Sequence, residues 1–109
     1  MVNAMLSRVD RVQVSTSDPD TVADSWVRLL DAREVGRDTI AALSAKRITL
    51  DVGNCQIEVL SPDGEGIVQS HLASNPGGPF AAGFATQDLS AVKTRLKEEQ
   101  VDFQEETGQ

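Results

Sequence analysis

The side chains that most often carry chemistry are scarce in this sequence of 109 residues. It contains one histidine, His71, and one cysteine, Cys55, so a single chain cannot form a histidine cluster, an internal disulfide or a cysteine-rich metal site. Ser61 and Ser70 have no nearby base at the spacing of a catalytic triad, and neither is a candidate nucleophile. We expect His71 to lie exposed on a short helix and Cys55 to be a packing residue beside a hairpin turn.

Polar side chains alternate with apolar ones along three stretches that are predicted to be strands, residues 9–16, 47–52 and 55–60. In the last of these the apolar positions face the core, and the polar positions lie on the opposite face. Any sheet that is covered by helices on one side has such a polar face, so the pattern alone fits a solvated surface as well as a binding site. The candidate site residues on this face are Arg11, Gln13, Arg47 and Glu58.

The first half of the chain predicts a strand, a helix and three further strands. Asp18 is placed as the N-cap of the helix because its carboxylate can accept a hydrogen bond from a free amide, and Pro19 suits the first helical position, where no donor is needed. The helix should end near Asp31 or Ala32 and carry one apolar stripe. The members of this stripe are Val22, Trp26, Leu29 and Leu30.

The strands after this helix include one clear hairpin. The second strand is expected within residues 33–38, and residues 39–45 are expected to be a loop or a weak strand. Gly53 and Asn54 are interpreted as a two-residue turn between the alternating stretches, because glycine suits the positive φ of a type II′ turn.

The second half of the chain repeats the opening of the first at an offset of 70 residues, which places Asp18 on Asp88. Residues 65–74 predict a short helix, and residues 75–79, rich in proline and glycine, predict a linker. After the linker we expect a strand at 80–86, an N-cap at Asp88 and a second amphipathic helix. Residues 101–103 are predicted to be the strand that follows.

The order of these segments resembles that of a known superfamily. The segments are Ile-Glu-Val-Leu-Ser-Pro-Asp-Gly from Ile57, the pair Gly77-Gly78, and Phe-Ala-Thr-Gln-Asp-Leu from Phe84. Together they resemble the vicinal oxygen chelate superfamily, which includes glyoxalase I, bleomycin-resistance proteins and dioxygenases, and they are closest in pattern to methylmalonyl-CoA epimerase-like proteins. The resemblance covers roughly residues 8–104.

This resemblance implies two paired modules that form a curved sheet around a cavity, where catalytic members hold a divalent metal between His, Gln or Glu side chains. The ligand positions of the family fall on Arg11, Glu58 and Ala81, and of these only Glu58 has a ligand atom suited to the metal. A fourth ligand would lie in strands beyond residue 109. We therefore expect no metal, and the hypothesis is an ion pair between Arg11 and Glu58 in the place of the metal.

Composition excludes several other classes of function. The chain has 10 Lys and Arg against 17 Asp and Glu, a net charge of −7, which disfavours binding to nucleic acid. No stretch approaches the ~20 apolar residues of a bilayer-spanning helix, and the first residues do not resemble a secretory leader. The lone cysteine favours a reduced, cytoplasmic location.

These observations predict an α+β fold, a βαβββ module followed by a partial second βαβ module, within one glyoxalase-like domain. Module one spans residues 8–62, the linker 63–79, the shortened module two 80–104 and the tail 105–109. The predicted function is binding of a small molecule without metal or other cofactor, with polar groups from the four candidate residues and room left by small ones. These small residues are Ala81, Gly83 and Ala85.

Two alternatives stay open. The first is a metal-dependent epimerase, lyase or dioxygenase of the same superfamily, completed by a partner chain or by a further C-terminal segment. The second is a structural or interaction module that uses a sheet edge as its partner site. Because the second module is short of strands, its open edge predicts a homodimer.

Overall fold

The computed structural model describes residues 5–105 of the chain, which form one sheet and three helices. The strands are β1 (Arg8–Ser15), β2 (Arg33–Ile40), β3 (Ala45–Asp51), β4 (Gln56–Pro62) and β5 (Gly78–Ala85). The helices are α1 (Pro19–Leu30), α2 (Ile67–Ser74) and α3 (Leu89–Glu98), and a single 3-10 turn occupies Ala41–Leu43. The α+β class and the order βαβββ, followed by a further strand and helix, are confirmed.

The strand order is β2-β3-β4-β1-β5. β2, β3 and β4 pair antiparallel in sequence order, whereas β1 pairs parallel with β4. This parallel pairing is possible because α1 and the two following strands provide a long crossover connection between β1 and β4. The described chain divides into two compact units, one of residues 9–83 and one of residues 5–8 with 84–105.

The core of the larger unit consists of two apolar clusters. One of them packs α1 on the sheet through the buried residues Ala23, Leu50 and Val59, with Val22 and Trp26 at its border. The other cluster, which we call the α2 cluster, consists of Ile40, Ala45, Leu60 and Val68, with Leu43, Leu72 and Phe80 packed against it.

The smaller unit contains α3 and its caps. Asp88 accepts a hydrogen bond from the backbone N–H of Ala91 at 3.0 Å, which confirms the predicted N-cap. The N–H of Ser7 donates to the carbonyl of Ala85 at 2.8 Å. Residues 101–105 form no strand, so the predicted strand at 101–103 is wrong; three residues with two apolar positions carry too little pattern to identify a strand.

The start of α1 matches the sequence prediction, but its end differs. Asp18 accepts a hydrogen bond from the N–H of Thr21, and Pro19 occupies the first turn. Leu29 and Leu30 are both 65% exposed, so the predicted apolar stripe packs on the core only at its beginning, where Val22 and Trp26 are partly buried. Both leucines lie in the last turn of α1, past the residues that pack on the sheet.

Three element boundaries also differ from those predicted from the sequence. β2 continues to Ile40 and the following turn is 3-10, so residues 39–45 are more regular than expected. The hairpin turn does contain Gly53 at a positive φ of 115°, but the last register pair is Asp51 with Gln56, which makes the loop four residues long rather than two. β5 begins at Gly78, inside the predicted linker. None of the helices between residues 5 and 105 is long and apolar enough to cross a membrane.

Candidate functional site

Strand register brings the four predicted site residues together. Gln13 of β1 is the register partner of Glu58 of β4, and Arg47 of β3 is the partner of Leu60. Paired residues on neighbouring strands point to the same side of a sheet, and residues two apart on one strand do so as well. Arg11, Gln13, Arg47 and Glu58 therefore share the face opposite the one on which α1 packs. We call this side the polar face.

The carboxylate of Glu58 lies at the centre of the polar face and is only 2% exposed. Its Oε1 accepts a hydrogen bond from Gln13 Nε2 at 2.8 Å. Its Oε2 accepts one from Arg47 Nη1 at 3.2 Å and lies 3.5 Å from Arg11 Nη1. Two guanidinium groups and one amide thus compensate the burial of a charge that would otherwise be strongly unfavourable.

Arg47 is itself held from a second side. Its Nε donates to Asp38 Oδ1 at 2.8 Å, and its Nη2 binds the other carboxylate oxygen of Asp38. This bidentate hydrogen bonding lowers the pKa of Asp38 and is the largest cause that raises the pKa of Arg47. Sequence reasoning missed Asp38 because β2 was expected to end there. Asp38 is the register partner of Arg47 on β2, so pairing β2 with β3 along the sequence would have identified it.

Arg11 is the more open of the two arginines. Its side chain is 29% exposed, against 13% for Arg47, and Glu58 is its one charged partner among residues 5–105. Its stem lies against the backbone of β5, where a Cβ added to Gly83 would be 2.7 Å from Arg11 Nε and 2.8 Å from Arg11 Cγ. The space that glycine leaves on β5 is therefore occupied by Arg11 itself.

The donor set does not fit a divalent metal ion. Both oxygens of Glu58 already interact with nitrogen donors, and the neighbouring Arg11 has no lone pair to offer a cation. Within the described part of the chain, no group of three or more His, Cys, Asp or Glu side chains is arranged to hold a metal. The ion pair expected between Arg11 and Glu58 is present at this position.

Two other polar groups differ from the sequence interpretation. His71 is half-buried rather than exposed, and its ring meets that of Phe80 edge-on, with centroids 5.1 Å apart at 86°. Ser15, which was not singled out, is buried on β1. The sequence could have predicted that His71 is partly buried, because Val68, His71 and Leu72 have the three- and four-residue spacing of one helix face. Cys55 is half-buried at the hairpin, as a packing role would require.

A cleft of about 620 Å³ opens beside the pair formed by Arg47 and Asp38. Its other walls come from the start of α1, including Pro19 and Asp20, and from Lys46 on β3. Lys46 and Arg47 are adjacent on one strand and so point to opposite sides of the sheet. The cleft therefore borders the polar face at the edge of the sheet rather than covering Glu58.

Comparisons with known proteins identify the fold. No family model matches the chain, and no curated protein matches it. The crystal structure of methylmalonyl-CoA epimerase from Mycobacterium tuberculosis matches with a TM-score of 0.88 and 20% identity, over 100% of this chain and 75% of that one. A Streptomyces coelicolor methylmalonyl-CoA epimerase variant in complex with 2-nitronate-propionyl-CoA matches with a TM-score of 0.79 and 19% identity, over 89% and 74% of the two chains.

A hypothetical protein from Bacillus halodurans C-125 matches as well, with a TM-score of 0.77 and 17% identity over 84% of this chain and 67% of that one. The chain therefore has the fold of the methylmalonyl-CoA epimerases. The resemblance to the vicinal oxygen chelate superfamily that the sequence indicated is confirmed at the level of the fold.

Proposed function

We propose that this chain is a small-molecule-binding domain whose polar face takes the ligand without a resident metal. The observation that carries the proposal is the arrangement of Arg11 over the buried carboxylate of Glu58, 3.5 Å away. A guanidinium has five N–H donors in a fixed plane, and one ionic contact leaves most of them available. Arg11 would therefore bind a carboxylate or carbonyl oxygen of the ligand, with Gln13, Arg47 and Glu58 holding its orientation.

The charge of the whole chain narrows the class of ligand. A net charge of −7 repels polyanions at long range, while the field close to Arg11 attracts a single negative group. This combination favours a compact ligand with one carboxylate. Cationic compounds, which the acidic surface attracts in general, serve as the comparison class.

The test uses straight-chain carboxylates and alkylammonium ions of equal length as probes at matched ionic strength. The wild type is compared with Arg11→Met and with Arg28→Met, a control that removes the same charge from the exposed surface of α1. At ten times its dissociation constant a probe stabilises the folded state by about 1.4 kcal/mol, which raises Tm by roughly 5 °C. The carboxylates should do this in the wild type and in Arg28→Met, but not in Arg11→Met.

The absence of a resident metal is tested separately on protein purified without chelator. Elemental analysis should find far less than one equivalent of zinc, nickel or iron. A stoichiometric metal would contradict the proposal, and so would carboxylate stabilisation that survives Arg11→Met.

A second candidate function is an enzyme of this fold, an epimerase, lyase or dioxygenase, and the TM-score of 0.88 to an epimerase favours it. Its metal ligands would have to come from a partner chain or from a segment beyond residue 109. Deuterium exchange at C2 of methylmalonyl-CoA, followed by NMR with and without added divalent metal, tests this candidate. Metal-dependent exchange would support an epimerase, and no exchange under either condition would contradict an epimerase while leaving a lyase or dioxygenase to be tested on its own substrates.

We also propose that the chain forms a homodimer in the cytoplasm. Support for the dimer is that β5 ends the strand order of the described sheet, which leaves its outer backbone groups available to a second copy. Light scattering at micromolar concentration should give twice the chain mass, and a monomer would contradict the proposal. A dimer that responds to none of the probes above would instead favour a purely structural or interaction module.

A further inference from the structure

The polar face continues along β1 into a buried end that the candidate site does not use. Ser15 follows Gln13 by two residues, so its side chain points to the same side of the sheet. Its register partner is Leu60, a fully buried member of the α2 cluster. Ser15 is 1% exposed, and its hydroxyl has no hydrogen-bond partner within residues 5–105.

His71 carries a second unpaired polar atom near the same cluster. Its ring packs edge-on against Phe80, which borders that cluster. Its Nε2 is buried and, like the hydroxyl of Ser15, has no hydrogen-bond partner among the described residues. Native proteins satisfy most buried polar atoms, and each exception calls for a specific explanation.

We propose that Ser15 and His71 form a second subsite, which binds a neutral oxygen of the ligand whose carboxylate Arg11 takes. This subsite rests on the proposed function, because it defines the far end of the same ligand. The hydroxyl of Ser15 can donate to a carbonyl or hydroxyl oxygen, and Nε2 of His71 donates or accepts according to its tautomer. An apolar setting favours a neutral group there over a second charge.

The geometry of β1 sets the length of this ligand. Residues two apart on a strand are separated by roughly 7 Å, and Gln13 lies beside the guanidinium of Arg11 through their shared contact with Glu58. The oxygen that reaches Ser15 is therefore a few carbon atoms away from the carboxylate. The ligand class is a short oxo- or hydroxy-carboxylic acid.

α2 offers a way into this buried end. Its residue Val68 packs on Leu60 within the cluster, so α2 lies on the side of the sheet where Ser15 is buried. α2 is eight residues long and has no side-chain hydrogen bond at its N-cap. Local opening of one segment costs less than global unfolding, and the proposed subsite requires such an opening of α2 for the oxygen-bearing group to enter.

The experiment compares 2-oxobutanoate, 4-oxopentanoate and 5-oxohexanoate with their parents butanoate, pentanoate and hexanoate. Each pair differs only in one ketone oxygen. 4-Oxopentanoate or 5-oxohexanoate should bind about tenfold more tightly than its parent, the effect of one added hydrogen bond at a buried site, whereas 2-oxobutanoate, whose ketone adjoins the carboxylate, is too short to gain. Ser15→Ala and His71→Phe should remove this advantage, whereas Ser70→Ala, an exposed serine on α2, should keep it.

A second measurement separates a binding role from a structural one. Because the hydroxyl of Ser15 has no partner within residues 5–105, Ser15→Ala should leave the urea midpoint unchanged or raise it. A lowered midpoint together with equal binding of the oxo-acids and their parents would show that Ser15 has only a structural partner, such as an ordered water, and would overturn the subsite. If neither series binds, the proposed function fails first; if both bind equally, the function stands and the subsite fails.

Discussion

The substitution Glu58→Gln tests whether the polar face is a fixed arrangement or a loose set of surface charges. Glutamine has nearly the same shape as glutamate but carries no charge, and one end of its amide is a donor. The amide oxygen can still accept from Arg47 and Arg11 if the NH2 group faces Gln13 and Gln13 turns its own amide, but in either orientation the negative charge that offsets two guanidinium groups is lost. Hydrogen bonds to charged groups are worth about 1.5–3 kcal/mol when buried, so we expect a loss of about 2–3 kcal/mol.

The matched control is Glu34→Gln. Glu34 makes two hydrogen bonds of 2.9 Å to Arg37, which are shorter than either contact between Glu58 and an arginine. Glu34 is exposed, however, and water screens such pairs so well that they contribute little. If contact distance alone determined the contribution to stability, Glu34 would contribute more than Glu58. If burial determines it, Glu58 contributes far more than Glu34.

Urea unfolding followed by the fluorescence of Trp26 measures both variants, since this one tryptophan packs against the core. Urea is preferred over guanidinium chloride because it does not screen charges. With a slope of about 1.5 kcal/mol/M, Glu58→Gln should lower the midpoint by roughly 1.3–2 M, and Glu34→Gln should leave it close to that of the wild type. A Glu58→Gln shift no larger than the Glu34→Gln shift would refute the argument from burial.

Two further predictions concern the partners of this centre. The hydrogen bonds from Arg47 lower the pKa of Asp38, so the stabilisation from this pair is complete above the unfolded Asp pKa of about 3.9 and is lost as the pH falls through the lower folded pKa. The urea midpoint should therefore fall less steeply below pH 4 in Asp38→Asn than in the wild type. Equal pH slopes of the two midpoints would contradict this prediction. Gly83→Ala would place a Cβ 2.7 Å from Arg11 Nε and displace that side chain, so we expect a stability loss of about 1–2 kcal/mol and weaker carboxylate binding by isothermal titration. Gly36→Ala, whose Cβ would meet no atom within 4 Å, is the control and should bind as the wild type does.

Local sequence patterns predicted which residues lie on the polar face, but not the contacts that these residues make with Glu58 at its centre. Strict alternation puts Arg47 and Glu58 on one side of their hairpin whatever the rest of the chain does. The contact between Gln13 and Glu58 depends instead on the parallel pairing of β1 with β4, across 45 residues of intervening chain. No local pattern predicts that pairing, and the resemblance to a known superfamily supplied only the expected ion pair between Arg11 and Glu58.

Two of the wrong predictions, the length of the apolar stripe on α1 and the exposure of His71, share a physical cause. Leu29 and Leu30 continue the apolar spacing of α1, but spacing does not tell where the sheet beneath the helix ends. His71 was placed by its residue type, although its partner Phe80 lies on a different element. Periodicity reports which side of an element is apolar, and only the tertiary structure determines how much of that side is covered.

The side chains that β1 places on the polar face change from charged to neutral along the strand, and this change connects the two proposals. Arg11 is partly exposed and charged, Gln13 is a neutral amide bonded to Glu58, and Ser15 is a buried hydroxyl without a partner among the residues that the structure describes. A surface that merely faced water would have no reason to leave its innermost polar atom unpaired, since alanine at that position would remove the cost of burying it. Buried charges such as Glu58 likewise add little net stability compared with apolar packing. Both features are unfavourable for folding alone and favourable for a ligand that is charged at one end and neutral at the other.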